Sequence, residues 1–358
     1  MLTANGYWLN LIEKMEGNSL INGPSPRCSI IIRSYNEERH IRRLLLGISQ
    51  QTLQPCEVII VDSGSSDATV EIARTFGARI IEIKSSDFTF GRALNIGCAA
   101  AIGDILVFAS AHVYPTYSNW LEELVEPFAD PRIVLSYGKQ RGNAQSHFSE
   151  RQIFEKWFPN VSASPQTGYF CNNANCAISR KAWLELPYDE SLSGLEDLAW
   201  AKSAQMKGGL FAYQANAEII HVHEEIWARV QNRYRREAMA MTHIDQRARF
   251  SIWDFIRLLV GNVWSDSRVA LRDGRLMHEF KSIAAFRFNQ MWGTYLGYNG
   301  PHDVTNELRN RFYFPLGSKD VVLPEAKLED LRIDYDALEI KPEHLRQASA
   351  PLKIISSH

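Results

Sequence analysis

From residue 28 onward, short apolar runs alternate with longer stretches whose apolar residues recur at helical spacing. CSIIIRSYN, CEVIIVD, ARIIEI, DILVFASA and RIVLSYGKQ read as strands. Between them, EERHIRRLLLGISQQT puts Ile41, Leu44, Leu45 and Ile48 on one helical stripe. SDATVEIARTFG has Ser66 or Asp67 as its N-cap and Gly77 as its stop. GRALNIGCAAAIG is a helix of small residues that permit close packing, and NWLEELVEPFAD is a further helix. Continuous apolar runs mean strands buried on both faces, so the pattern predicts a mainly parallel sheet with helices on both faces. Ligands bind such sheets beyond the carboxyl ends of the strands. That singles out Ser34-Tyr35-Asn36, Asp62-Ser63-Gly64 and Ser110-Ala111-His112.

Two later segments add polar groups. GYFCNNANCAISRKAW carries Asn172, Asn173 and Asn175 before an apolar turn into a helix. SGLEDLAWAKSAQMKGG is a helix with Glu196 and Asp197 in its first turn. LFAYQANAEIIHVHEE is a last strand ending in His221 and His223, which alternation puts on one side of the chain. The spacing then divides the chain into a leader (1–26), an α/β domain (27–224), a helical C-terminal region (225–300) and a polar tail (301–358). Within the helical region, residues 229–249 are basic. Arg233, Arg235 and Arg236 suit anionic headgroups or a lipid-linked diphosphate, or else form a solvated face. IWDFIRLLVGNVW reads as a packed helix in preference to a membrane-surface one.

With 358 residues, 45% of them hydrophobic, the chain has enough apolar material for a large core. A formal net charge of −2 argues against a general nucleic-acid binder. Five cysteines without a CxxC fit buried free thiols in a reducing compartment. No stretch reaches the roughly 18 apolar residues of a membrane span. The expected location is cytoplasmic, with peripheral contact at the inner face of the membrane left open.

The motifs SIIIRSYNEE, VIIVDSGSSDAT, GRALNIGCAAAIGDILVFASAH, NNANCAISRKAW and GLEDLAW, in this order, resemble the family 2 glycosyltransferases, with bacterial surface-polysaccharide transferases as the nearest subgroup. The resemblance spans roughly residues 28–223. It implies a GT-A fold and an inverting enzyme that moves a sugar from a nucleoside diphosphate to a hydroxyl of a glycan or lipid-linked glycan. The helical region lies outside the shared core.

By that resemblance, Asp62 accepts a hydrogen bond from a uracil or thymine imide, which favours UDP or dTDP donors; otherwise it caps the turn that follows it. Ser34 and Glu37 hold the nucleotide, although Glu37 also suits a first helical turn. Arg92 and Asn95 lie near the nucleotide, or else merely open a helix. Asn173 and Asn175 hold sugar or acceptor hydroxyls, or else satisfy loop backbone. Asp197 is the general base that takes the acceptor proton, and Glu196 lines the site; the alternative is two acids placed for the helix dipole. The family's Asp-x-Asp is replaced by Ser110-Ala111-His112. His112 with His223 and His221 then holds Mn²⁺ or Mg²⁺, or a metal-free imidazolium faces the diphosphate. The lost acid leaves a second reading, a degenerate domain that binds nucleotide or glycan without turnover.

Overall fold

A computed structural model describes residues 28–53, 56–223, 225–300 and 332–340. The leader and most of the tail lie outside the described residues. Among the described residues, eight strands form one sheet in the order β3-β2-β1-β4-β7-β6-β8-β5. They are β1 (Cys28–Ser34), β2 (Cys56–Asp62), β3 (Arg79–Glu82), β4 (Ile105–Ser110), β5 (Val113–Pro115), β6 (Ile133–Arg141), β7 (Asn175–Ser179) and β8 (Leu210–His221). The pairings among β3, β2, β1 and β4 and that between β6 and β8 are parallel. The pairings β4–β7, β7–β6 and β8–β5 are antiparallel. The sheet is therefore mixed, with its parallel part where the apolar runs are longest.

The departure from the expected pattern is β7. NCAIS, expected as a turn into a helix, inserts antiparallel between β4 and β6, with Asn175 to Ile178 fully enclosed. Five small and apolar residues are too few for periodicity to separate a strand from a turn.

Alternation along β1 explains the two-sided core. Ile31 joins Val61, Leu94, Phe108 and Trp183 on one face. Ile30 and Ile32 join Leu44, Ile60, Val107 and Trp120 on the other. Helix α1 (Glu38–Ser49) buries Ile41, Leu44, Leu45 and Ile48, the stripe expected from sequence. Helix α2 is Thr69–Thr75. The N-cap position of α2 is Ala68, one residue past the expected Ser66 or Asp67; Asp67 receives Thr69 N at 3.0 Å and Glu38 N at 3.1 Å and so bridges the starts of both helices. Helix α3 (Phe90–Ala100) is capped by the Thr89 hydroxyl and lies so close to the sheet that a Cβ on Gly97 would meet Ile31 Cγ2 at 2.4 Å. The remaining core helices are α4 (Trp120–Val125), α5 (Phe148–Trp157), α6 (Arg180–Glu185) and α7 (Glu196–Met206).

The helical region forms α8 (Trp227–Ile244), α9 (Ile252–Arg272) and α10 (Leu276–Asn299). A Cβ on Gly293 or Gly297 of α10 would lie 2.3 and 2.4 Å from the Gln231 and Arg235 carbonyl oxygens of α8. Two glycines one turn apart thus set that crossing. IWDFIRLLVGNVW packs on one face, as expected, through buried Phe255 and through Val263 against the Phe148–Ala270–Ile283 cluster; its other face leaves Trp253, Ile256, Val260 and Trp264 exposed. Part of the expected polar tail returns to the core as α11 (Tyr335–Ile340). The Tyr335 hydroxyl donates to Pro115 O at 2.7 Å, beside Tyr114. Among the described residues, no helix is long and apolar enough to cross a membrane.

Candidate functional site

A cavity of about 780 Å³ opens beyond the ends of the central strands. Its lining takes Ser34 and Glu37 from the end of β1, His112 from the end of β4, and Asn173 from the turn before β7. Glu196 and Asp197 enter from the start of α7, and His221 and His223 from the end of β8. Eight of the twelve residues expected from sequence therefore meet in one place.

The carboxylate pair is set by an unusual backbone. Leu195, the residue before α7, has φ 55°, the left-handed region that bulky side chains avoid. That turn starts the helix so that both acids of its first turn are buried against the cavity. Glu196 Oε1 pairs with Arg33 Nη1 at 2.7 Å. Asp197 accepts hydrogen bonds from Asn173 N at 2.9 Å and Leu198 N at 2.8 Å. Burial, and then the neighbouring Glu196 carboxylate, push the Asp197 carboxyl up to about 7, against the two N–H donors and Arg33. Asn173 is nearly fully buried, yet neither of its side-chain polar atoms has a partner within the protein. A buried amide without partners is unusual among the polar groups of a folded protein.

Across the cavity, three imidazoles converge. The His221 and His223 ring centres are 4.0 Å apart, and His112 lies 5.2 and 5.6 Å from them. Each Nδ1 is held by a side-chain oxygen: His112 by Glu37 at 2.9 Å, His221 by Gln140 at 2.8 Å, and His223 by Glu150 at 2.8 Å. With Nδ1 engaged, Nε2 is the nitrogen left to ligate. One ligand atom from each ring lies within 4.8 Å of the others. His221 Nε2 is buried and has no partner within the protein. That orphaned atom and the three-imidazole donor set fit a first-row transition-metal dication better than Mg²⁺. Burial, together with the neighbouring imidazoles and Arg233, holds His221 well below the ordinary imidazole value, so it is neutral as a ligand must be. Burial alone would lower His112 too, but Glu37 reverses this and raises it.

Glu150, His223 and Glu225 form a second close group. Arg233 already neutralises it, contacting Glu150 and Glu225 at 2.7 Å each. Burial would raise Glu150, yet His223 and Arg233 bring it down to about 2. A guanidinium in the centre leaves this group no need of a cation.

The other four expected residues sit outside the cavity lining. Asp62 is buried, and its carboxylate receives Gly64 N, Ser65 N and the Ser34 and Ser65 hydroxyls at 2.5–2.9 Å. Four donors saturate a carboxylate, so here it organises the turn at Gly64 (φ 94°). Asn95 is enclosed, bonded to Trp183 Nε1, to both backbone polar groups of Tyr188 and to Glu190. Arg92 reaches the same Glu190 at 3.3 Å. Both residues tie α3 to the chain ahead of α7. Asn175 bonds Lys139 O, Ala217 O and Trp120 Nε1, fastening β7 to its surroundings.

Sequence reasoning missed Arg33, Gln140 and Glu150. Arg33 left a trace, as a lone charge in an otherwise apolar strand. Gln140 stands at the end of β6, where strand-end polar residues merit inspection. Glu150 left none: an acid in the first turn of a helix has the dipole as its default explanation.

The family model described as Glycosyl transferase family 2 matches residues 29–186. Over 210 residues the chain is 32% identical to the O-antigen chain rhamnosyltransferase WbaN of Salmonella anatum, covering 55% of this chain and 67% of that protein. It is 28% identical, with the same coverage, to the O-antigen chain rhamnosyltransferase RfbN of Salmonella typhimurium. Among solved structures, the mannosyltransferase PcManGT of Pyrobaculum calidifontis, in complex with GDP-Man and Mn²⁺, superposes with a TM-score of 0.54 at 16% identity, covering 82% of this chain and 94% of that one. It shares the fold. With its motifs in family order, a sheet of the GT-A type and polar strand ends meeting in one cavity, the chain belongs to glycosyl transferase family 2 and is a glycosyltransferase of GT-A fold.

Proposed function

We propose that the chain transfers a sugar, with inversion, from a nucleoside-diphosphate donor to a hydroxyl of a glycan or lipid-linked glycan in the synthesis of a bacterial surface polysaccharide. The observation that carries this is Asp197, a buried carboxylate with a pKa of about 7, sharing a cavity with three convergent imidazoles. Its oxygens are aimed by two backbone N–H groups, and it ionises where a general base is most effective. In the proposed step Asp197 takes the acceptor O–H proton. The freed oxygen forms its bond to the anomeric carbon, and the bond from that carbon to the phosphate oxygen breaks, its electron pair leaving with the diphosphate. Glu196, fixed by Arg33, keeps a negative charge beside Asp197 and so keeps it basic. Asn173 offers an unsatisfied amide to sugar or acceptor hydroxyls.

His112, His221 and His223 would hold Mn²⁺, with Glu37, Gln140 and Glu150 orienting them. When bound, that cation supplies charge neutralisation to the departing diphosphate.

The names of the two Salmonella relatives support a surface-glycan acceptor and make rhamnose the first sugar to assay. UDP and dTDP are the proposed donor nucleotides. An imide contact to Asp62 requires one of its present donors, such as the Ser65 hydroxyl, to turn away.

The test is Asp197→Asn. Transfer should fall at least about 10²-fold, the range typical of a lost general base. Stabilisation of the fold by the nucleotide should stay within a factor of about two. Normal turnover by this variant would show that the base is another group.

A further inference from the structure

We infer that the outer face of α9 is a docking surface for an anionic lipid bilayer. The inner face of this helix is fixed by Phe255, packed against Phe288 and Trp292, and by the buried pair Asp266–Arg287 at 2.7 Å. On the opposite side Trp253 (75% exposed), Ile256, Val260 (63%), Trp264 (67%) and Leu271 face outward. At about 100° per residue these five fall within an arc of about 80°, its centre roughly 120° from Asp266 and 140° from Phe255. Arg257, Arg268 and Arg272 lie along one flank of that arc. The surface continues into the first turns of α10 with Met277 (96% exposed) and Phe280, beside Arg275 and Lys281.

Charge selects the occupant. Along residues 252–281 these five cations stand with Asp254, Asp273 and Glu279, Asp266 being paired with Arg287, which leaves a local excess of two positive charges on a chain whose net charge is −2. A stripe of tryptophans and aliphatics edged by arginine is the composition of a helix lying in a lipid interface. Two symmetric copies would bring like-charged flanks together, which disfavours self-association. A helix of 21 residues, about 31 Å long, gives this contact a broad base. Because no described helix can span a bilayer, the contact lies on the surface. The packing of α9 on α10, and of α10 on α8, links this surface to Arg229, Arg233 and Arg236 of the cavity wall. This inference rests on the proposed function only for its purpose, which is to bring a lipid-linked acceptor to the cavity.

The experiment is sedimentation of the full chain with vesicles of phosphatidylcholine alone or mixed with phosphatidylglycerol, without donor or metal. The chain should pellet with the anionic vesicles, and raised salt should release it. Arg268→Gln with Arg272→Gln should weaken the partition roughly 25-fold, at about fivefold per near-surface arginine. Trp253→Glu with Trp264→Glu should weaken it at least about tenfold. All four side chains are exposed, so the melting temperature should hold; the arginine pair gives a second reading should the tryptophan pair fail to fold. A chain that stays in the supernatant with anionic vesicles, or variants that bind as well as the parent, would overturn the inference. So would light scattering that shows a dimer which Trp264→Glu dissociates. Failure here leaves transfer to a soluble acceptor intact, so it is distinct from failure of the proposed function.

Discussion

Asp197 and Glu196 are adjacent acids with opposite environments. Glu196 has a guanidinium at 2.7 Å, while Asp197 has burial and a like charge against it. In the proposed step this divergence is the reason for taking Asp197 as the base, since a group raised to about 7 can accept a proton near neutral pH. The working form is the carboxylate, present above its pKa, so transfer should rise with pH and level off above about 7. Replacing Glu196 by Gln removes the like charge and should move that limb to lower pH, while Arg33→Gln should move it upward. A pH profile of kcat for the three proteins measures both shifts; coincident limbs would separate Asp197 from the proton transfer. At this scale the sequence was informative where chemistry left a pattern. The ED pair, His112 and the two downstream histidines could be picked out, and they meet in the cavity. Asn95 and Asn175 also stood out as polar residues, but a buried asparagine that serves packing has the same letter as one that serves a ligand. Only their partners, Trp183 and Trp120, reveal the packing role.

At the scale of elements, the histidine trio depends on parts with no ligand of their own. Strand β6 brings Gln140 to His221, and helix α5 brings Glu150 to His223. Such outer partners set ring orientation and ligand basicity. Glu150→Gln should weaken Mn²⁺ binding about 10- to 100-fold, read by titration of the Mn²⁺ resonance signal. Unchanged affinity would place the cation elsewhere. Helix α10 approaches α8 through Gly293, where a Cβ would lie 2.3 Å from Gln231 O. The neighbour is backbone and cannot swing away, so Gly293→Val should cost about 1–3 kcal/mol, seen as a lower melting temperature. The elements themselves were legible where apolar runs were long: β1, β2, β4 and the stripe of α1 stand where the pattern puts them. Strand β7 was not, because it is short, rich in small residues and held by long-range pairing that no local signal encodes.

At the scale of the whole molecule, two layers meet at one cavity. The sheet supplies the histidines and, through the start of α7, the carboxylates; α8 closes the wall with Arg229, Arg233 and Arg236. The helical region, which the resemblance left outside the shared core, is therefore part of the site. Its role was hidden in the sequence because Arg233 and Glu150 are 83 positions apart, and only the fold pairs them. The most direct test of this account is the melting temperature of the full chain with UDP, dTDP or GDP, each with Mn²⁺ or EDTA. A ligand specific to the folded state raises that temperature according to its affinity and excess. The account predicts stabilisation by one nucleotide with Mn²⁺, absent in EDTA and absent when His221 and His223 are both replaced by Ala. Equal stabilisation in EDTA, or none under any condition, would contradict it.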